Sequence, residues 1–147
     1  MSEDRQKIQK IVTDKEGILT SIFKECLVQI DADQGFLAFI DPNEHLRVLV
    51  QKGEYWYLPS DRGITGSAFT TGRTIIEVPQ NVTHYREAGT AESVKSEIAV
   101  PIFMGSEPIG AFLFDLTRDG KEFNRDHQRI LEAQAEIIKN VLSDKDP

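Results

Sequence analysis

Few side chains in this sequence have chemistry to offer beyond packing: one cysteine, Cys26, three histidines, His45, His84 and His127, and two carboxylates, Glu97 and Asp115, set in apolar runs. A single cysteine can form neither an intrachain disulfide nor a thiolate zinc cluster, and Cys26 reads as an inert residue of a helix packed on a sheet. The histidines fall at a strand start, in a loop and at a helix start, with no two spaced as metal ligands. His84 stands beside Tyr85 and could reach a pocket or face solvent. Glu97 and Asp115 lie in alternating runs joined by Gly105-Ser106, a tight hairpin turn. As neighbours on a cavity wall with little water, two carboxylates raise at least one pKa or recruit a cationic ligand. The alternative is that Glu97 bonds the backbone of a covering loop and Asp115 sits at a solvated strand end. Trp56, between Tyr55 and Tyr57, could stack on a planar ligand or cover a core edge. No Ser-His-Asp order, Gly-rich phosphate loop or nucleophile elbow appears.

The elements that must position these groups follow from pattern. With 147 residues, 39% hydrophobic and 28% charged, the sequence fits one globular domain with a real core. A formal charge of −7 disfavours nucleic acid and anionic membrane as partners. No apolar run approaches the about 20 residues of a membrane span, and the N-terminus lacks a signal-peptide core, so the expected place is the cytoplasm. Apolar residues from Ile8 to Ile30 recur at helical spacing, with a bend expected at Gly17. The narrower stripe before Gly17 suits either a helix whose first half meets a partner helix or one packed only on its own domain.

Gly35 to Ile40 is apolar on both faces and reads as a central strand. Asp41-Pro42-Asn43-Glu44 is a turn to a half-exposed strand at His45 to Lys52, whose alternation Leu49 breaks. Arg62 to Tyr85, punctuated by Gly63, Gly66 and Gly72, reads as a flap: a short helix with Thr65 as its N-cap, ended by Gly72, then a β-branched run at Thr74 to Val78. Two strands follow, Lys95 to Met104 and Pro108 to Leu116; Pro101 demands a bulge, an edge or a missing partner. Asn124 caps a final helix with one apolar stripe. The predicted fold is α+β: an antiparallel sheet with the N- and C-terminal helices on one face and the short-helix flap on the other.

The blocks Gly-Phe-Leu-Ala-Phe-Ile-Asp (35–41), Gly63-Ile-Thr-Gly-Ser-Ala-Phe with Thr71-Gly72, Val94-Lys-Ser-Glu-Ile-Ala-Val-Pro-Ile, Pro108-Ile-Gly-Ala-Phe, and Phe123 with Asp126 resemble a GAF domain over about Asp4 to Leu142. The resemblance implies one GAF domain over 1–147, with an N-terminal helix at 1–30, sheet and flap at 35–116 and a C-terminal helix at 124–142. It also implies a PAS-like sheet, a small-molecule cavity between sheet and flap, and dimerisation through the terminal helices, here Ile8, Ile11, Ile18 and the last helix. Carried over position by position, the pocket face would be Phe36, Ala38 and Ile40 on the first strand. Glu97, Ala99 and Pro101 would join them from the next, and Ala111, Leu113 and Asp115 from the last. Asn81, Val82 and Tyr85 would close it, with Ile64 and Phe69 at the side.

Special cases of the family meet departures. A covalent bilin needs a cysteine at the pocket, and Cys26 lies on the first helix. Free methionine sulfoxide reductases work by thiol exchange with a resolving partner, which one cysteine cannot supply. Cyclic-nucleotide-binding members carry an Asn-Lys…Phe…Asp-Glu pattern; Thr117-Arg118 and Asp126-His127 leave that motif incomplete. The expectation is a non-enzymatic sensory or regulatory domain for an unidentified small molecule, acting through dimeric terminal helices on an effector domain or partner protein. The alternatives are a ligand-free dimerisation module and a small reductase of the methionine sulfoxide type.

Overall fold

A computed structural model describes residues 2–53, 55, 58–59, 63–78 and 94–143. The N-terminal apolar repeat forms two helices, α1 (Ser2–Asp14) and α2 (Glu16–Gln29), not one. The break falls at Lys15 rather than at the expected Gly17. The Lys15 N–H is shared between the carbonyls of Ile11 and Val12, both at 3.1 Å, and the Lys15 carbonyl accepts the Leu19 N–H at 3.0 Å, so this residue links the two helices. The turn lets two separate stretches reach one surface. Ile8 and Val12, each 5% exposed, pack from α1, and Leu19, Phe23 and Cys26 pack from α2. Ile8 is therefore spent on its own domain, which removes it from the expected partner-facing stripe.

The strands β1 (Gln34–Ile40), β2 (His45–Lys52), β3 (Leu58–Pro59), β4 (Ile75–Glu77), β5 (Ser96–Met104) and β6 (Glu107–Leu116) pair antiparallel in the order β3-β2-β1-β6-β5-β4. The β-branched run assigned to the flap is thus β4, an edge of the sheet itself. Leu49, the residue that broke the alternation, is a β-bulge: Leu37 opposes Val50 and Ala38 opposes Val48, leaving Leu49 unopposed. Pro101 is accommodated by a missing partner, because β4 begins opposite Ala99.

Asp41 builds the β1–β2 turn. Its Oδ1 accepts the N–H groups of Asn43 (2.8 Å) and His45 (3.0 Å), while Glu44 takes a positive φ of 64°.

The terminal helices cover one face. The Phe23 ring stacks on Phe114 at 5.5 Å between centroids, and Leu131, Ile138 and Leu142 bury the stripe of α4 (Arg125–Ser143). Two strand glycines make room for this layer. A Cβ on Gly35 would lie 2.6 Å from Cδ1 of Phe114, and one on Gly110 2.8 Å from Cδ1 of Phe39. Each glycine lets the ring of its cross-strand partner lie across the backbone. The helix α3 (Gly63–Thr71) lies on the other face against β5 and β6. Thr65 is a buried residue within it rather than its cap, and Gly72 ends it in the left-handed region, with N–H bonded to Ala68 O at 2.9 Å.

Candidate functional site

The register of four strands lays one polar row across the sheet. Gln34 opposes Asp115, Asp115 opposes Glu97, and Glu97 opposes Glu77. Asp115 is 0% exposed and Glu97 3%; the solvated strand end considered for Asp115 does not occur. Carboxylates so deep are tolerated only with hydrogen-bond partners. Asp115 Oδ2 accepts the Tyr55 hydroxyl at 2.7 Å and the Gln34 amide at 3.0 Å. Tyr55 is itself held: its backbone N–H donates to Gln51 Oε1 at 3.1 Å, and its ring stands edge-on to Phe36 with centroids 4.8 Å apart.

The next rows on this face are apolar and small. Phe36 opposes Leu113, Leu113 opposes Ala99 and Ala99 opposes Ile75; beyond them Ala38, Ala111 and Pro101 align. Bulky Leu37, Phe112, Phe114, Ile98 and Val100 fall on the alternate positions, the face the terminal helices cover. Ile64 and Phe69 are buried on α3. Asn81, Val82 and Tyr85 lie outside the described residues, as do His84, Trp56 and Tyr57.

Three members of the polar row escaped the sequence reading. Gln34 reads as part of a polar turn, Tyr55 as one of three loop aromatics, and Glu77 as part of the β-branched run of the flap. Only for Glu77 was a signal available: alternation within 75–77 sets it on the same face as Ile75. The other two depend on strand register and loop path.

At the end of β6 the chain is pinned to the α2–β1 turn. Asp33 Oδ2 accepts the Thr117 N–H at 2.7 Å and the Thr117 hydroxyl at 3.2 Å, and Arg118 Nε lies 3.0 Å from Asp33 Oδ1. Arg118 also donates to the Asp31 carboxylate at 3.0 Å and to the Asp31 carbonyl. Burial would raise the Asp33 carboxyl, but the Thr117 N–H, the Arg118 guanidinium and the Thr117 hydroxyl outweigh it and hold the group below the usual carboxylate range. Thr117 and Arg118, which stand where cyclic-nucleotide-binding members carry Asn-Lys, are thereby committed to this turn.

Asn124 caps α4 as expected, accepting the N–H groups of Asp126 and His127. His127, read as a plain surface residue, returns the bond by accepting the Asn124 N–H at 3.0 Å. Cys26 is fully buried; burial first and the neighbouring Glu25 second push its thiol up to about 12. Among the described residues no cluster of three or more His, Cys, Asp or Glu could hold a metal ion, and no helix is long and apolar enough to cross a membrane.

Residues 12–143 match the GAF domain family, and the chain belongs to it. No curated protein matches it in sequence. Solved structures that share its fold include the following three. The type II free methionine-R-sulfoxide reductase from Thermoplasma acidophilum has a TM-score of 0.76 at 17% identity, covering 90% of this chain and 94% of that one. The free methionine-R-sulfoxide reductase from Neisseria meningitidis, solved with its substrate, has a TM-score of 0.76 at 19% identity over 93% and 84%. The GAF domain/HD domain protein from Geobacter sulfurreducens has a TM-score of 0.76 at 15% identity over 92% and 95%. The expectation of a non-enzymatic chain is corrected by the two reductases: this fold carries catalysis, so membership in the family leaves an enzymatic role open.

Proposed function

We propose that the chain is a small-molecule-binding regulatory GAF domain. Its ligand sits between α3 and the sheet and carries a cationic group that meets the Asp115–Glu97–Glu77 row. The observation that carries this reading is the row itself: three carboxylates in register across β6, β5 and β4, two of them fully buried, with a tyrosine hydroxyl and an aromatic wall beside them. An ammonium or guanidinium is the group that such a row stabilises best. The rest of the ligand would lie against the small side chains Ala38, Ala99 and Ala111, aligned on the same face.

Binding to the folded state alone stabilises it by about 2.7 kcal/mol at a ligand concentration one hundred times Kd. A panel of free amino acids and small amines should therefore contain compounds that raise the Tm of the wild type and do so less in Glu97→Gln. A panel that moves neither protein, or one in which only anions act, would overturn the cationic reading.

The signal would leave through the helices. Ile18 of α2 and Ile137 of α4 are about half exposed, with Ile130 and Val141 half-buried along the same α4 stripe, which suits a homodimer built on these helices. An effector domain or partner protein would read the change.

A second reading is catalytic, favoured by the likeness to the reductases named above. A thiol route would have to run through Cys26, the sequence's one cysteine, whose sulfur is buried and held as the thiol. Consumption of free methionine sulfoxide with dithiothreitol as reductant, abolished in Cys26→Ser, would support that route; consumption undiminished in Cys26→Ser would move the chemistry to other groups.

A further inference from the structure

A groove separate from the carboxylate row lies at the β4 edge of the sheet. It has a volume of about 530 Å³ and lies off the end of β4, between the Gly72–Thr74 connection and α4. Its floor is apolar: Val100 and Pro101 are buried, Phe103 is half-buried, and Ala135 of α4 closes it. Its rims carry two cations, Arg73 on the connection and Lys139 on α4, and neither makes a hydrogen bond or ion pair among the described residues. Two carboxylates also line it. Glu132 is tied back by the Thr74 hydroxyl and by the Gln128 amide at 3.0 Å, and Glu136 lies one turn further along α4.

The geometry points to a second binding site, independent of the carboxylate row, for a compact molecule with an apolar body and a single anionic group. Two cations against two carboxylates leave the lining neutral, so polyanions such as nucleic acids or polyphosphates gain nothing there, and the chain's charge of −7 repels them. One carboxylate or sulfonate, by contrast, can take charge-assisted bonds from Arg73 and Lys139 while Glu132 stays engaged with Thr74 and Gln128. An added peptide strand is disfavoured, because Pro101 has no N–H and lies on the stretch of β5 beyond the reach of β4.

Anilinonaphthalene sulfonate has this chemistry and serves as the probe, titrated into the folded protein by fluorescence and by NMR. Saturable binding is expected, with shifts at Val100, Phe103 and Ala135 and an affinity at least about fivefold weaker in Arg73→Gln/Lys139→Gln. The uncharged phenylnaphthylamine should bind the wild type more weakly by a similar factor. The inference is overturned by shifts that cluster on Ile18 and Ile137 or on Ala99 and Leu113, by equal affinity in the double variant, or by the absence of saturable binding.

Discussion

Asp115 is the residue on which the most depends. It is fully buried, receives bonds from two side chains of distant sequence, and neighbours Glu97 across the β5–β6 ladder. Tyr55→Phe removes the 2.7 Å donor while keeping the ring against Phe36, so it should destabilise the fold by about 1–3 kcal/mol, read as a lower urea midpoint at unchanged m. Asp33 gives a pH prediction. Its folded carboxyl titrates below its unfolded value of about 3.9, so its contribution is complete above that pH and is lost as pH falls through the folded value. Asp33→Asn should flatten the acid limb of a stability–pH curve below about pH 4 and leave the slope between pH 6 and 8 unchanged. Individual roles of this kind were partly legible in sequence. Alternation set Glu97 and Asp115 on one face, because period two is written into the strand; the Tyr55 contact was not, because it depends on the path of a loop.

Among the elements, the strands were readable and their irregularities were visible without being named. Leu49 and Pro101 both stood out against the pattern, and the sheet resolves them as a bulge and as a strand end without a partner on one side. The α1–α2 break was misplaced because propensity pointed to Gly17, whereas a shared bond at Lys15 makes the turn and nothing lies within 4 Å of a Cβ built on Gly17. Gly35 and Gly110 belong to this scale too. Gly35→Ala would drive a methyl into the Leu113 carbonyl and the Phe114 ring, two rigidly held groups, and should cost about 2–3 kcal/mol, measured as a drop in Tm of several degrees. A Gly17→Ala variant is the contrast: an exposed helical position with open space, where stability should rise by roughly 0.5–1 kcal/mol.

For the whole molecule, the antiparallel sheet with terminal helices on one face and α3 on the other followed from the order of elements and from the GAF resemblance. The six-strand width did not, since β3 is only two residues long and the β-branched run that forms β4 reads in sequence as part of the flap rather than as a strand of the sheet. A dimer through α2 and α4 should come apart when charge enters its centre. Ile137→Glu is expected to shift sedimentation from dimer toward monomer at micromolar concentration with the Tm within a few degrees of wild type, because the side chain is 46% exposed in the single chain. A wild type that sediments as a monomer would refute this part of the account.

The central claim, a ligand held against the carboxylate row, is tested most directly by native mass spectrometry of protein purified gently from cells. An added small-molecule mass is expected, lost on denaturation and absent from both Glu97→Gln and Asp115→Asn. An added mass retained in both variants would contradict the claim, as would a bare wild type that acquires none from the panel of amino acids and amines.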